Sequence, residues 1–491
     1  MLESAEVGHA LDKATYDREL PKLRADLLNA QYELLRSAKF PVLVLINGVE
    51  AAGRGETVNE LKEWMDPRHI RVHALTEPTE EERNHPGMWR FWRALPPKGR
   101  IGVFFGNWYT PAFLRRVLEG GRRAEFDEAL EEITRFEKML ADEGALILKF
   151  WFHLAKKDQK QRLKALEKDP DTRWRVTRRD WKHYALYDKF RDAAERALRQ
   201  TSTAYAPWTV VEGADARFRG LLVGKTLHAA IQRRLESHAA VPHGEVPLPP
   251  APIDARNVLK KLDLTRRLDK DRYETQLARQ QGRLARLTRK KAFRKHSLVA
   301  VFEGMDAAGK GGAIRRLANA LDIRQYDIHP VAAPSDEERA QPYLWRFWRH
   351  VPRRGRVAIF DRSWYGRVLV ERVEGLCSEY DWMRAYSEIN DFEEQLVRAG
   401  AIVVKFWLQI SPQEQLRRFR EREATPYKRF KITPEDWRNR EKFDAYQHAV
   451  VDMIDRTSTE IAPWTLIAAE DKRYARVQVL KTVCEHIEAA L

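Results

Sequence analysis

One segment in the second half of the chain has the residue types and spacing of a phosphate-binding loop. It reads GMDAAGKGG from Gly304 to Gly312, so four residues separate two glycines and Lys310 directly follows the second. Glycines allow the backbone N–H groups to point at an anion, and a following helix adds the positive end of its dipole. A lysine there supplies a point charge between phosphates. We therefore predict phosphate binding by four consecutive residues, Gly309, Lys310, Gly311 and Gly312.

The position after Lys310 departs from the strict phosphate-loop pattern, because Gly311 stands where a Ser or Thr hydroxyl would hold magnesium. Asp306, inside the loop, is the substitute ligand that we expect. Asp361 is the second, since it ends the apolar run Val357–Phe360 and would lie at the carboxyl edge of a sheet, beside the loop. Hard oxygen ligands suit Mg²⁺, so we predict a magnesium site at these two aspartates.

Positive charge is concentrated at two places downstream of the loop. Arg362 directly follows Asp361, and its guanidinium could match the oxygens of a transferred phosphate in a fork. The alternative is a helix-capping aspartate followed by solvated arginines. Further along, Arg417–Arg422 and Pro426–Lys431 form a basic cluster. A charge run is usually a solvated helix face, but beside a phosphate loop the excess of positive charge favours a basic lid that clamps a polyanion.

The elements that must position these residues occur twice in the chain. Three blocks recur at one offset of 256 residues, namely Trp89–Trp92 at Trp345–Trp348, Lys149–Trp151 at Lys405–Trp407, and Ala206–Thr209 at Ala462–Thr465. A single offset over this length indicates a duplicated globular domain rather than a short solenoid repeat. Five prolines between Pro242 and Pro252 predict a linker over residues 237–253. The predicted domains are therefore residues 1–236 and 254–491.

Each copy is predicted to be an α/β domain. Short, non-alternating, β-branched runs are separated by helical stretches, and this pattern indicates a buried parallel sheet. A long charged helix, at Lys13–Lys39 and at Leu262–Lys295, is expected to precede the first strand of each copy. The predicted strands are Val42–Ile46, Ile101–Phe105, Ala145–Phe150 and Trp208–Val211 in the first copy, and Leu298–Phe302, Val357–Phe360, Ala401–Trp407 and Trp464–Ala468 in the second. The expected architecture is a three-layer α/β/α domain, duplicated in tandem.

Composition narrows the class of protein and its partners. The 491 residues carry a formal net charge of +16, which favours a polyanionic partner such as nucleic acid, an anionic membrane or a phosphate compound. The two cysteines, Cys377 and Cys484, argue against a disulfide scaffold or a cysteine-bound zinc site and fit a reducing cytosol. No apolar run approaches a membrane span, and residues 1–13 lack the apolar region of a secretory signal. We therefore expect a cytoplasmic protein without a membrane segment.

These motifs resemble the second family of polyphosphate kinases. The likeness rests on Gly304–Gly312, on the run DRSWYGRVLVER from Asp361 to Arg372, and on the basic cluster, and it extends over essentially the whole second copy. The two-copy layout is similar to the class that phosphorylates AMP to ADP with inorganic polyphosphate. The resemblance implies a P-loop kinase fold close to that of thymidylate kinase, magnesium dependence and a helical lid. One departure is Phe430, where related lids often carry tryptophan.

The resemblance also implies roles for individual residues. Asp306 and Asp361 take catalytic and metal-binding roles. Lys310 and Arg362 take catalytic roles in handling the transferred phosphate. Further phosphate-binding residues that the match implies are Arg367, Arg418, Arg422, Lys428 and Lys431.

The first copy keeps scaffold residues but loses the site residues. At the offset of 256, the residues Asp306, Lys310, Gly312, Asp361 and Arg362 are replaced by Glu50, Arg54, Glu56, Phe105 and Gly106, respectively. A glutamate at the end of the loop would place negative charge against phosphate, and the carboxylate on the metal side is missing. We therefore predict that catalysis belongs to the second copy alone, and that the first serves packing or polyphosphate capture.

The combined prediction is an enzyme that transfers the terminal phosphate of inorganic polyphosphate to AMP, giving ADP. AMP as the acceptor rests on the resemblance alone. One alternative is an ATP-dependent nucleotide kinase of the thymidylate kinase type, although Gly311, Gly312 and the long basic lid favour a polymeric donor. A second alternative is a non-enzymatic nucleic-acid binder, but the sequence has no nucleic-acid recognition motif. The oligomeric state is left open, with a homo-oligomer as one option.

Overall fold

The computed structural model describes residues 2–237 and 257–491, which form two compact units. The first unit comprises Met1–Pro78, Arg90–Pro242 and Ser335–Trp345, and the second comprises Thr79–Trp89, His243–Pro334 and Arg346–Leu491. Each unit therefore includes one short segment from the other sequence repeat. The predicted linker lies outside the described residues except for Ser237, so the domain boundaries at residues 236 and 254 stay predictions.

The first repeat folds around a five-stranded parallel sheet. Its strands are β1 (Val42–Gly48), β2 (Ile70–Ala74), β3 (Ile101–Phe105), β4 (Leu146–His153) and β5 (Trp208–Glu212). They pair in the order β2-β3-β1-β4-β5. The helices are α1 (Lys13–Ser37), α2 (Arg54–Trp64), α3 (Glu80–Arg83), α4 (Trp89–Ala94), α5 (Tyr109–Leu118), α6 (Arg123–Asp142), α7 (Lys156–Lys168), α8 (Arg178–Ala185), α9 (Tyr187–Thr201) and α10 (Ala216–Glu236).

The second repeat forms the corresponding sheet. Its strands are β6 (Ser297–Gly304), β7 (Tyr326–Pro330), β8 (Val357–Asp361), β9 (Ala401–Gln409) and β10 (Trp464–Ala468), paired in parallel in the order β10-β9-β6-β8-β7. The helices are α11 (Lys270–Arg289), α12 (Lys310–Ala318), α13 (Asp336–Arg339), α14 (Trp345–Trp348), α15 (Val370–Glu374), α16 (Glu379–Arg398), α17 (Pro412–Ala424), α18 (Pro434–Glu441), α19 (Phe443–Thr457) and α20 (Lys472–Ala490). No helix within the described ranges combines the length and apolar character needed to cross a membrane.

Burial of the central strands explains the layered architecture. All nine residues of β9 are buried, as are seven of the eight residues of β6. Successive side chains of a strand point to opposite faces, so complete burial means that helices cover both faces of the sheet. The predicted tandem three-layer α/β/α fold with a parallel sheet is therefore confirmed.

Two strands were absent from the sequence prediction. They are β2 and β7, which lie at one edge of their sheets. One of the five residues of β2 is buried and none of β7, and charged residues such as Arg71 and Asp327 interrupt them. A half-exposed edge strand lacks the continuous apolar run by which the central strands were recognised. The predicted helix at Leu262–Lys295 is also shorter than expected, since α11 covers Lys270–Arg289.

A buried ion pair stabilises the same place in both units. Lys405 Nζ donates to Glu393 Oε2 at 2.7 Å, to the Thr457 carbonyl at 2.7 Å and to Tyr365 Oη at 2.8 Å. The first repeat has the same network, formed by Lys149, Glu137, Thr201 and Tyr109. Every ammonium proton finds a partner, so the buried charge is tolerated. The network fixes Tyr365 against β9 and explains why these residues recur in both copies.

Candidate active site

The phosphate-loop segment connects the end of β6 to the first turn of α12. Gly304 has a φ of +153°, and a Cβ there would lie 2.6 Å from the carbonyl oxygen of Leu408 on β9. Glycine is therefore required where these two strands approach each other. Helix α12 begins at Lys310, directly after the loop, so its first backbone N–H groups lack partners within the helix. The fold thus places the loop at a helix N-terminus, where anions are favoured, and phosphate binding by the loop stays a prediction.

A cavity of about 840 Å³ opens over this loop. Its walls include the loop from Asp306 to Gly312, with Asp361 and Arg362 at the end of β8. Further cations of the cavity wall are Arg315, Arg418, Arg422, Lys428, Lys472 and Arg476, and the acidic side chains Glu421, Glu435 and Asp436 lie among them. The structure therefore brings the loop, both predicted aspartates and most of the predicted cations into one space.

Lys310 and Arg362 approach Asp306 from two elements. Lys310 Nζ donates to the carbonyl oxygen of Gly304 at 2.7 Å, which keeps its charge next to the loop. Arg362 Nη2 donates to Asp306 Oδ1 at 3.2 Å. The backbone of Arg362 has a φ of +63°, a left-handed conformation that costs a residue with a side chain about 1 kcal/mol. Strain of this kind is found at functional sites, where it fixes the direction of a side chain.

Asp306 is an ionised and oriented carboxylate. Burial opposes its ionisation, but the positive charges of Lys310 and Arg362 outweigh burial and hold the pKa of Asp306 below its ordinary value. Asn439 Nδ2 donates to Oδ2 at 2.9 Å and acts in the same direction. Gln415 Nε2 donates to the backbone carbonyl of Asp306 at 3.3 Å, which fixes this part of the loop.

The two aspartates fit a magnesium site that a phosphate substrate would complete. Asp306 and Asp361 line the same cavity, and carboxylate oxygens are the ligands that Mg²⁺ prefers. Over the described part of the chain, no group of three or more acidic, histidine or cysteine side chains is arranged to hold a metal ion. Mg²⁺ commonly takes one or two carboxylates and completes its shell with water and substrate phosphates. The donor set therefore matches Mg²⁺ shared between protein and substrate.

Arg418 is placed differently from a phosphate-binding side chain. It is buried, and its five N–H groups all donate to protein acceptors. These acceptors are Glu414 Oε1 at 2.6 Å and the carbonyl oxygens of Ala307 at 2.9 Å, Ala308 at 3.0 Å, Ala469 at 2.7 Å and Glu470 at 2.9 Å. Arg418 therefore joins the phosphate loop to the segment after β10. This arrangement favours a positioning role, in which Arg418 holds the loop in shape.

The remaining predicted cations differ in their placement. Arg422 and Lys428 line the cavity, and Lys428 Nζ pairs with Glu421 at 2.9 Å. Arg367 is not part of the described cavity wall, and its Nε lies 2.9 Å from Glu371 Oε2. The side chain of Lys431 lies outside the described part of the structure. Phosphate binding by these four residues stays a prediction.

Sequence reasoning missed several polar residues of the cavity, among them Lys472, Arg476 and Asn439. Lys472 and Arg476 lie in the first two turns of α20, shortly after β10 ends. Because carboxyl ends of parallel strands share one edge of the sheet, the position of Lys472 could have indicated its place at the site. Asn439 belongs to α18, and no local pattern in the sequence distinguishes it from other polar residues of that helix.

A buried carboxyl also ties the loop strand to the segment after β8. Glu303, the residue before Gly304, accepts a hydrogen bond from Ser363 Oγ at 2.8 Å. Burial raises the pKa of Glu303, although the charge of Lys310 acts against this. The hydrogen bond connects the strand that carries the loop with the residue after Arg362, and so helps to align the two halves of the site.

Comparisons with known proteins agree with this arrangement. A family model described as polyphosphate kinase 2 matches residues 10–239 and 267–491. The chain is 61% identical over 493 residues to the polyphosphate:AMP phosphotransferase of Pseudomonas aeruginosa, with 100% of this chain and 99% of the relative covered. It is 37% identical over 480 residues to the Acinetobacter johnsonii protein of the same name, covering 95% of this chain and 96% of the relative.

A solved structure shows the same architecture over the whole chain. It is the crystal structure of a Pseudomonas aeruginosa protein described as a polyphosphate kinase 2. The two chains superimpose with a TM-score of 0.90 at 58% sequence identity, covering 100% of this chain and 99% of the other. The tandem arrangement of two α/β domains is therefore shared with this protein.

Proposed function

Because this chain belongs to the polyphosphate kinase 2 family, we propose that it transfers the terminal phosphate of inorganic polyphosphate to AMP and so produces ADP. The observation that carries this proposal is the cavity over Gly304–Gly312, where a phosphate loop, two aspartates and a wall of cations face one space. Relatives that match over nearly the full chain are named for the same reaction. Their names support the substrates that were predicted from the sequence.

The reaction requires positioning and charge neutralisation more than covalent help from the protein. The acceptor phosphate of AMP is already an anion, so its attack needs no general base. An oxygen of AMP forms a bond to the terminal phosphorus while the bridging P–O bond breaks, and the shortened polyphosphate leaves with the bonding electrons. Lys310 and the loop N–H groups hold the donor end, and Arg362 faces the transferred group, where its charge stabilises the transition state.

Asp306 and Asp361 would hold the magnesium ion. When bound, the ion neutralises charge on the donor phosphates and helps to orient them. The chain's own contribution is to keep Asp306 ionised through Lys310 and Arg362 and to fix its direction through Asn439. Magnesium dependence is therefore part of this proposal, supported by the oriented carboxylate of Asp306 and by Asp361 in the same cavity wall.

The distribution of cations bears on the alternative of an ATP-dependent nucleotide kinase. Positive side chains extend from Lys310 along the cavity wall to Lys428, Lys472 and Arg476. This run of charge along one wall favours a donor with many phosphates over a nucleoside triphosphate, which has three. Polyphosphate is thus the donor that the cavity supports best.

The cytoplasmic location and a homo-oligomeric state stay predictions.

The direct test incubates the purified full chain with AMP, long-chain polyphosphate and Mg²⁺ and separates the nucleotides. We expect ADP with polyphosphate, much less with ATP as the donor, and none when a chelator removes the metal. ADP formed from ATP but not from polyphosphate would replace the proposal with the nucleotide kinase. Failure with both donors, together with tight RNA binding, would favour the nucleic-acid binder.

A further inference from the structure

The first unit contains a second cavity, of about 520 Å³, away from its degenerate loop. Three helices form it, namely α5, α6 and α9. Its cations are Arg116, Arg123, Lys189, Arg196 and Arg199, and its acidic side chains are Asp192 and Glu195. The positive charges therefore exceed the negative charges in the wall of this cavity.

Three of these cations are available to a ligand. Arg123, Lys189 and Arg199 are exposed, and none of them forms an ion pair or hydrogen bond with another described residue. The other two cations, Arg196 and Arg116, already donate hydrogen bonds to the protein. Arg196 forms two hydrogen bonds to Asp127, one of them 2.6 Å long, and Arg116 Nη1 donates to the Gly121 carbonyl at 2.9 Å. Unpaired cations that converge on a cavity attract anions of matching size.

The second repeat shows that the fold does not require this charge. At the offset of 256, the positions of Arg123, Lys189, Arg196 and Arg199 are occupied by Glu379, Ala445, Asp452 and Asp455, respectively. Arg116 corresponds to Arg372, which is committed to the protein through Asp452 at 2.7 Å and lies 4.1 Å from the Trp382 ring centroid. Three positive positions of the first repeat are thus negative in the second, and one is neutral. The same scaffold is basic in one repeat and acidic in the other.

We propose that this cavity of the first unit, with Arg123, Lys189 and Arg199 in its wall, is a second binding site for a segment of inorganic polyphosphate. The three available cations lie on two helices, α6 and α9, around one space, and this placement suits a ligand with several closely spaced anionic groups. The only aromatic side chain of the cavity wall, Phe126, is buried and offers no ring face on which a base could stack. An oligophosphate is therefore favoured over RNA, and its choice as ligand rests on the proposed function.

The test measures the reactivity of Lys189 in the full chain. Acylation by a lysine reagent is followed by mass spectrometry, with exposed Lys22 of the same unit as the internal reference. At a polyphosphate concentration about ten times Kd, we expect Lys189 to react about tenfold more slowly and Lys22 to be unchanged. An equal concentration of phosphate units supplied as RNA should protect Lys189 much less.

Two matched variants test whether the protection of Lys189 depends on the cations of the cavity. Arg123→Glu with Arg199→Asp introduces residues of the charge that the second repeat tolerates, keeps Lys189 and should abolish its protection. Lys13→Glu with Lys62→Glu makes the same change in net charge at exposed positions outside the cavity and should leave protection intact. Absence of protection by polyphosphate, equal protection in both variants, or protection by RNA alone would overturn the proposal.

Assays of AMP phosphorylation on the same preparations separate this proposal from the proposed function. Arg123→Glu with Arg199→Asp should leave turnover at saturating polyphosphate unchanged, because the active-site residues belong to the second repeat. If the unchanged chain makes no ADP while Lys189 is still protected, the proposed function fails and the second site stands. If ADP is made but Lys189 is not protected, the second site is rejected and the function stands.

Discussion

The two phosphate loops of the chain follow the same backbone course, but their charged side chains have different partners. In the second repeat, Lys310 and Arg362 converge on one carboxylate and face an open cavity. In the first, Glu50 pairs with Arg54, and His183 Nδ1 lies 3.0 Å from its second oxygen. Burial would raise the pKa of Glu50, but these two partners lower it to about 2. The cation that replaces Lys310 is thus already neutralised by the protein.

The end of the first loop shows the same pattern. Glu56 lies in the first turn of α2, with Arg162 Nη2 at 3.8 Å and Arg175 Nη1 at 3.6 Å from its carboxylate. A carboxylate at a helix N-terminus takes the place that favours a phosphate in an intact loop. The first repeat therefore carries its own anions where the second leaves room for the anions of a substrate.

The support of the loop has also changed between the repeats. Arg162 corresponds to Arg418 but keeps one hydrogen bond to this region, to the Gly213 carbonyl at 3.2 Å. Its place is taken by Arg219 of α10, which is buried and donates to the same carbonyl at 2.9 Å and to Thr57 Oγ1 at 2.9 Å. The fold thus needs an arginine at this carbonyl but accepts it from either of two helices.

Backbone strain differs between the repeats at the position of Arg362. Arg362 has a φ of +63°, whereas its counterpart Gly106 has a φ of +82°, which glycine adopts without penalty. A left-handed arginine reduces the stability of the fold by about 1 kcal/mol. Its presence therefore indicates a role other than stabilising the fold. The comparison indicates that the strain at this one position accompanies the arginine of the second site, whereas the strain inside the loop, at Ala51 and Ala307, is common to both repeats.

The largest effect should come from matched double variants of the two loops. Asp306→Ala with Lys310→Ala should reduce AMP phosphorylation a hundredfold or more, because removal of one preorganised charge at a phosphoryl centre already costs about that much. Glu50→Ala with Arg54→Ala, the same change in the first repeat, should leave activity within about twofold. Steady-state assays of folded protein compare the two. Substantial activity in the first variant would mean that the first repeat is a working kinase.

A second variant, Arg362→Gly, tests whether the left-handed arginine serves the reaction or the stability of the fold. Arg362→Gly should lower turnover about a hundredfold, since it removes the guanidinium at the transferred group. The free energy of unfolding should change by about 1 kcal/mol or less, because relief of the left-handed conformation offsets the lost contact with Asp306. Kinetics and denaturation on one preparation check both expectations.

The reverse change in the first repeat is the control for Arg362→Gly. At Gly106 an added Cβ would lie 2.2 Å from the Leu75 carbonyl oxygen, so Gly106→Arg should destabilise the first unit by about 2 kcal/mol or more. It should not create activity, because Phe105 stands where Asp361 is needed. A large stability loss in Arg362→Gly would show that Arg362 serves the fold rather than the reaction.

The sequence was sufficient to predict those features that depend on contiguous residues. The central strands are continuous apolar runs, and the loop with Asp361 and Arg362 forms contiguous motifs at strand ends, so both were predicted. The edge strands β2 and β7 were not, because half-exposed strands mix charged and apolar residues. Their existence depends on pairing with a neighbouring strand, which no local pattern reports.

The roles of single cations could not be predicted for a related reason. Arg417 and Arg418 are neighbours in one basic run, yet the Arg417 side chain is 60% exposed and that of Arg418 is 2% exposed. Only the packing of α17 against the loop decides which of them reaches the backbone carbonyls. Asn439 likewise reaches Asp306 from a helix far along the chain. Resemblance assigned Arg418 to phosphate binding, which stays a prediction, whereas its contacts in the structure favour a role in holding the loop.

A third prediction tests this positioning role. Arg418→Lys keeps the charge but has too few donors for four carbonyls and Glu414, so we expect the second unit to lose about 3 kcal/mol of stability. Arg162→Lys should cost less than about 1 kcal/mol, because Arg219 already serves the corresponding carbonyl. Hydrogen exchange with mass spectrometry reads the loop segments of each unit separately. Equal effects in the two units would contradict the proposed exchange of arginines.

The smallest effect concerns the salt dependence of polyphosphate binding. Lys428 lines the cavity but pairs with Glu421 at 2.9 Å, whereas Lys431 lies in the same basic cluster, so replacing both by alanine should remove counterion release chiefly at Lys431. By analogy with single-stranded nucleic acid, the slope of log K against log salt should fall by about 0.7. Binding titrations at several salt concentrations measure the slope.

The first repeat again supplies the control for this measurement. Arg175 is the counterpart of Lys431, but its guanidinium faces Glu56, so an internal carboxylate already compensates its charge. Arg175→Ala should therefore leave the slope unchanged, although it removes a positive charge from the position that corresponds to Lys431. An unchanged slope in the Lys428 and Lys431 variant would mean that the basic cluster is a solvated helix face. A reduced slope in Arg175→Ala would mean that the first loop still binds phosphate despite its internal carboxylates.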